Sequence, residues 1–556
     1  MQENNHLIGR QVLDLRIGAE QDAFRVQNDI SFALRHRILP RLEAVFDRMT
    51  GAGQVLRIDR IEIDLGALDP ERLEAELEEK MMRSIEAALE THVGAQQGAS
   101  QGASIGLQEI APAQSVLETW AYFLEHGVLP WWQQFTDHRA WEAAIVAALE
   151  QAPRAAVPLA RRLVAENRIR QRLLDQFSLP VLEALLLSQQ GTAGPAILSL
   201  QEILTARYRH FFSGKISPQA GKDFYWSVAL SLLAPPRGEA DGIKALIEAW
   251  IMALSVATGK SLAETISACR DALAQAGDRA QEKKRAAIMR LLDDAGGYPG
   301  KLLTHAAREN TRPDQHPDEI EPSRLDASAP EAGHLPDSPG KDATIQSKTG
   351  KNTVSPDEHM RGDQTPFSPE KRPEKDVPLK DAPAPAEAPD AMYLRNAGLV
   401  ILHPFLRPFL ENVGLVQGNA FVDAEAQVRA VHLLEYLVRG ETATPEYELA
   451  LNKILCGLPL GQPVGRDIVL TAQEQEESEK LLRVTIDHWQ ALKNTSPDGL
   501  RLNYLLRAGK LSRKDDFWLL HVEHKTHDLL LNRLPWGLGM IRLSWMERLL
   551  RVEWAY

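Results

Sequence analysis

Apolar residues recur along this chain in two periods, and the places where one period gives way to the other divide it into regions. Near the start Leu13, Leu15 and Ile17 alternate with polar neighbours, which predicts a strand with one buried face. Residues 21–49 switch to helical spacing, with Phe24, Ile30, Leu34, Ile38, Leu42 and Phe46 mostly four apart. Pro40 should kink or split that helix. Gly51-Ala-Gly53 turns the chain into a second strand over 54–65, whose alternation slips phase at Arg60 as a bulge would make it. Asp69-Pro70 opens a further helix over 71–90. Residues 1–92 thus read as a β-α-β-α module.

The next stretch, 93–112, is rich in Gly, Gln, Ser and Ala and reads as a flexible joint. From 113 to 310 the helical period dominates, with helices predicted over 116–125, 141–150, 181–188, 198–212, 244–257 and 281–294. No fixed repeat length emerges, so a helical domain with short connections is expected. Over 311–390 both periods vanish. About 14 of roughly 80 residues there are proline and Phe367 is the sole aromatic. Such a stretch cannot bury enough apolar surface to offset its ordering entropy, and a disordered, Pro-rich acidic linker is predicted.

The folded pattern resumes over 391–556. Its best-punctuated stretch is YELALNKILCGLPLGQPV, 447–464. Thr444 can cap a helix that takes Pro445 in its first turn. Tyr447, Leu451, Ile454, Leu455 and Leu458 form its apolar stripe, with Asn452 and Lys453 off it; Gly457 ends it and Pro459 forbids continuation. Thr471 with Glu474 makes a capping box for a helix bearing Leu481, Leu482, Ile486, Trp489 and Leu492. After Gly509 the period becomes two, over 517–523, 539–543 and 549–554. The fold class is therefore mainly α with small α+β parts, the C-terminal helical domain closing in a small antiparallel sheet.

At 556 residues the chain has room for several cores. Its net charge of −13, about −7 of it within 311–390, argues against a general affinity for nucleic acid through phosphate neutralisation. Cys269 and Cys456 lie in different predicted regions and read as small buried hydrophobes in a reducing, cytoplasmic setting rather than as a disulfide or zinc ligands. The start, MQENNHLIGRQV, lacks an apolar signal core, and no apolar run approaches the ~20 residues that span a bilayer. Neither signal-directed export nor stable membrane insertion is expected.

Candidate chemistry is sparse, and no cofactor is expected. Thr258-Gly-Lys-Ser261 ends like a phosphate loop but has Leu254 where the first glycine belongs; a helix stop at Gly259 followed by a cap at Ser261 explains it. His521, His524 and His527, with Glu523 and Asp528, form the densest set of potential metal ligands. A catalytic site needs about three that converge. A solvated hairpin is the plainer reading, and a metal-dependent hydrolase the competing function it leaves open. Glu474, Glu476, Glu477 and Glu479 sit in the first turns of a capped helix, where negative charge complements the dipole. Leu129–Trp132 and Leu534–Trp536, in Pro-bounded turns, suit a core and a partner contact equally well.

Several segments in a fixed order carry a resemblance. They are RIDRIEIDLG (57–66), YFLEHGVLPWW (122–132), LRNAGLVILHPFLRPFLENVGLV (394–416), the 447–464 stretch, IDHWQALKNTSPDGLR (486–501), LNRLPWGLGMIRLSWM (531–546) and VEW (552–554). Together they resemble the tape measure protein family of contractile injection systems, phage-tail-like particles. The family-like positions are Gly398, His403, Pro404, Leu451, Asn452, Lys453, Cys456, Gly457, Leu534, Pro535 and Trp536. The resemblance implies a structural, non-enzymatic role: a tape measure occupies or templates the inner tube and its span sets tube length. It also implies partners among the tube, baseplate or cap proteins, self-association, and residence in the cytoplasm during assembly or inside the finished particle. Pro130, Trp131, Trp132 and Trp536 are the expected partner contacts. An assembly chaperone or baseplate-associated scaffold is the alternative. An unbroken helix of this length would reach ~830 Å, but 33 prolines and 36 glycines interrupt it. A length-setting element would then be the helical region plus the linker.

Overall fold

The computed structural model describes residues 6–290 and 391–554 apart from short stretches, the longest of them 17–22, 50–54, 96–106, 212–217 and 275–281. The expected linker at 311–390, most of the joint at 93–112 and most of the helix at 281–294 lie outside the described residues. By contact, the described residues belong to one compact unit.

At the N-terminus the helix Ala23–Ala33 runs through a π-turn at Leu34–Ile38 into Leu39–Met49. Pro40 has no N–H to give and its ring would strike the carbonyl four residues back. The wider turn just before it, in which the Leu39 N–H reaches back to the Leu34 carbonyl, absorbs the mismatch without a break. Strand β1 (Val55–Ile58) pairs antiparallel with β2 (Leu107–Ile110), Val55 opposite Ile110. β2 falls inside the expected joint; four residues are too few for alternation to stand out. Residues 11–16, within the stretch read as a strand, join no ladder among the described residues, yet Leu13 and Leu15 pack on the same small core as Ile38, Leu42, Leu77 and Ile85. Their alternation records a buried face, not a backbone partner.

The helical region follows the predicted spacing closely, with Pro112–His126, His138–Gln151, Leu179–Gln190, Ala193–Tyr208 and Glu239–Thr258 where the pattern put them. Between them run the shorter helices Val157–Ala165 and Asn167–Gln176. Trp120, Phe123, Trp141, Leu173, Leu185 and Tyr225 are among the side chains filling its core. Gly127 ends the first of these helices at φ +75°, its N–H donating to the Phe123 carbonyl.

In the C-terminal region β3 (Ala391–Leu394) leads into the helix His403–Asn412, then a small hairpin of β4 (Val416–Gln417) and β5 (Ala420–Phe421), and the helix Ala424–Arg439. The capping box at Thr471 and Glu474 opens Ala472–His488 as expected. β6 (Gly509–Arg513), β7 (Phe517–Val522), β8 (Met540–Ile541) and β9 (Leu549–Glu553) complete a sheet ordered β3-β6-β7-β9-β8. The sheet is mixed rather than antiparallel, because β7 and β9 run parallel. The long connection through the 3-10 helix Thr526–Arg533 and β8 brings the chain back in its original direction. Alternation located β7, β8 and β9 but not β3 or β6.

Candidate functional site: a buried seam around residues 446–464

The helix expected after Thr444 forms in two pieces, a 3-10 turn at Glu446–Glu448 and an α-helix at Ala450–Leu455. The N-cap position there falls to Pro445, which has no capping side chain, rather than to Thr444. Instead the Glu446 N–H donates to the Gln176 side-chain carbonyl, 3.0 Å away in the helical region. An orphan amide at the start of a helix needs an acceptor, and here a distant part of the chain supplies it.

Around that contact lies a fully buried ionic cluster. Arg172 and Glu446 are paired at 3.0 Å with neither side chain exposed, and Lys453, equally buried, donates to the other oxygen of Glu446. The cations also hold the loop after Gly457 by its carbonyls. Lys453 donates to Leu460 and Gln462 at 3.0 and 2.8 Å, Arg172 to Gly461 at 2.6 Å, and Gln176 to Val464 at 2.6 Å. Burial pushes the Lys453 ammonium down to about 8, with Glu446 pulling against that and Arg172 adding to it. Removing charge from water costs several kcal/mol per ion, so such a cluster persists only when donors and acceptors are matched, as they are here.

The seam is apolar as well. Tyr447, from the C-terminal region, inserts into the core of the helical region, with its ring 5.8 Å from Phe123 and 5.7 Å from Trp141. Val128, from the helical region, sits in the core of the C-terminal one. Each side lends the other a side chain. Gly127 completes the fit: a Cβ there would stand 2.7 Å from both a Glu446 carboxylate oxygen and the Leu460 carbonyl.

Of the family-like positions Lys453 belongs to this seam, and the others lie elsewhere in the C-terminal region. Asn452 and Lys453, off the apolar stripe, are nevertheless unexposed. Asn452 donates to Glu435 at 3.0 Å and accepts from Asn396 at 2.7 Å. Leu451 and Cys456 are buried, the thiol pushed up by that burial. Gly457 takes φ +68° against the Trp545 carbonyl, and Gly398 lies under the Tyr504 carbonyl. His403, the first residue of the helix His403–Asn412, hydrogen-bonds the Val400 carbonyl, and burial lowers its imidazole pKa. Trp536 is half-buried, donates to the Ile401 carbonyl at 3.0 Å and meets Phe405 edge-on, while Pro535 is exposed and Leu534 packs on the core. Trp131 and Trp132 are half-buried, the Arg57 guanidinium lying over the Trp132 ring at 5.0 Å, and Pro130 is buried.

The three histidines do not converge. His521 pairs with Glu553 at 2.8 Å, and His527 contacts Arg507 and the Asn503 carbonyl; Asp528 is taken by Arg507 at 2.9 Å and by the Trp554 indole at 3.0 Å. Among the described residues no group of three or more His, Cys, Asp or Glu is placed to hold a metal. At Thr258-Gly-Lys-Ser261, Gly259 ends a helix at φ +65° and Ser261 and Glu264 cap the next one reciprocally. Among the described residues no single helix is long and apolar enough to cross a membrane.

Arg172, Gln176 and Glu446 went unremarked in the sequence, although one signal was present. In Asn167–Gln176 the buried positions are Ile169, Arg172, Leu173 and Gln176, the helical stripe itself with two polar residues standing in it. Polar side chains at stripe positions mark a place where another part of the chain brings matching groups.

The model of the contractile injection system tape measure protein family matches residues 5–554, and the chain belongs to that family. Comparisons with curated proteins and with solved structures give no match.

Proposed function

We propose that this protein works in building the particle by reach and contact rather than by turnover, with the clasped unit as the part that partner proteins grip and 311–390 as the part that spans. The family match over nearly the whole chain carries this reading. Tube, baseplate or cap proteins are the partners, the cytoplasm is where assembly takes place, and the folded regions divide at about 92, 112, 310 and 390. The structure supports it in one respect: Arg172, Gln176 and Glu446 tie 113–290 to 391–554, so a partner that binds either region moves both. Shortening 311–390 with both flanks intact tests it. Electron micrographs should show particles whose tube length shifts with the deletion; particles of unchanged length would assign the chain to chaperoning or scaffolding assembly instead.

A further inference from the structure

The loop after Gly457 is held by a buried histidine from each side of the seam. His138, on the helix His138–Gln151, gives its Nε2 hydrogen to the Gln176 carbonyl at 3.0 Å. Arg466 donates to that same carbonyl at 3.1 Å, and the Gln176 side chain holds the Val464 carbonyl and the Glu446 N–H. His432, from the C-terminal region, hydrogen-bonds the backbone of Gly465. Tyr447 lies stacked on the ring of His138, their centres 6.0 Å apart.

Neither ring is placed to take a second proton. An imidazolium donates from both nitrogens. In each of these rings one nitrogen is bonded; the other, Nδ1 of His138 and Nε2 of His432, is buried with no hydrogen-bond partner among the described residues. Phe177 and Trp141 stand against His138 with Tyr447, their ring centres 5.4 and 5.8 Å away. Of the charged groups that face His138, Arg466 opposes a proton, while Glu142 and Asp137 beside it favour one. Glu142, 3.6 Å from Nε2, is engaged by the N–H and hydroxyl of Ser178. Burial and Arg466 prevail, and the His138 pKa is lowered. His432 faces two cations, Lys453 and, on its own helix, Arg429, and burial takes it down to about 4.

Both penalties lift if one piece of the chain moves. With Tyr447 and residues 464–466 raised, water reaches both rings, and each can take its proton near the ordinary value of about 6.5. Opening the seam is thereby linked to proton uptake. We propose that the seam is an acid latch: as protons load His138 and His432, Tyr447 and the loop 464–466 release together while the cores on either side stay folded. The latch acts whatever role the chain has in the particle.

Hydrogen exchange on the full chain, read by mass spectrometry and corrected for the intrinsic effect of pH on exchange, tests this. Protection over 446–466 should fall at least about tenfold between pH 7 and pH 5, since the return of His432 from about 4 to its ordinary value alone gives about twentyfold. Protection in Glu239–Thr258 and in β7 should change by less than about twofold. His432→Leu should remove most of the fall, and the double variant His138→Phe, His432→Leu all of it. His488→Gln, at an exposed histidine, should leave it intact. Each variant is scored on the ratio between the two pH values, so one that merely loosens the fold does not mimic the result. Protection at the seam that is flat with pH, a fall shared equally by all regions, or a fall that survives in the double variant would overturn the proposal.

Discussion

His432 shows how a single side chain sets a pH limit. It lies on the helix Ala424–Arg439, 1% exposed, and burial presses its imidazole down to about 4. Above pH 6.5 it is neutral folded or unfolded, and its contribution is complete. As pH falls towards 4 the unfolded chain takes a proton that the folded one refuses, so stability drains away across that window, by roughly 3 kcal/mol in all. Urea midpoints measured from pH 7 to pH 4 should fall, and in His432→Leu the fall should be shallower. Lys453 carries a different liability. Replacing it with Met leaves the Glu446 carboxylate to Arg172 alone and takes the donor from the Leu460 and Gln462 carbonyls, a loss of about 1–3 kcal/mol. Glu446→Gln leaves two buried cations without a counter-ion, so the double variant Lys453→Met, Glu446→Gln should lose less than the sum of the two single changes, which a double-mutant cycle in urea measures.

Glycines matter at the level of elements because they let elements approach. A Cβ on Gly398 would stand 1.7 Å from the Tyr504 carbonyl, so Gly398→Ala must push the 3-10 turn Ala397–Leu402 off its neighbour. Overpacking of this kind costs about 1–3 kcal/mol or more, and thermal melting of the variant should show it. Gly457→Ala faces both a left-handed backbone and the Trp545 carbonyl 2.3 Å away, and should be the worse of the two. Helices and their ends were legible because stripe, cap and stop are local: Thr471 with Glu474, Gly127 and Gly259 all behave as written in the sequence. β2, β3 and the seam were not, since four-residue strands leave little alternation. Nothing near Glu446 announces an arginine 274 residues earlier in the chain. The parallel pairing of β7 with β9 likewise depends on where a long connection lands, which no periodicity encodes.

For the whole molecule the clasp predicts that continuity of the backbone is dispensable once folding is done. Cutting the finished protein within 311–390 should give two pieces that co-elute on size exclusion. Arg172→Met, which leaves Glu446 to Lys453 alone, should weaken their association, and Gly127→Ala should do the same by forcing Glu446 and the Leu460 carbonyl away. Pieces of the wild-type chain that separate freely would mean that the seam is not what binds them.

The long separation between Arg172 and Glu446 also imposes a schedule on synthesis. When the ribosome has delivered the helices up to Gln176, the groups that will neutralise and cover that guanidinium have not yet been translated, and Phe123 and Trp141 await the ring of Tyr447. Until some 270 further residues emerge, the growing chain carries a wet, sticky notch in its first large core. Nascent chains halted before Glu446 should therefore be the ones that chaperones retain.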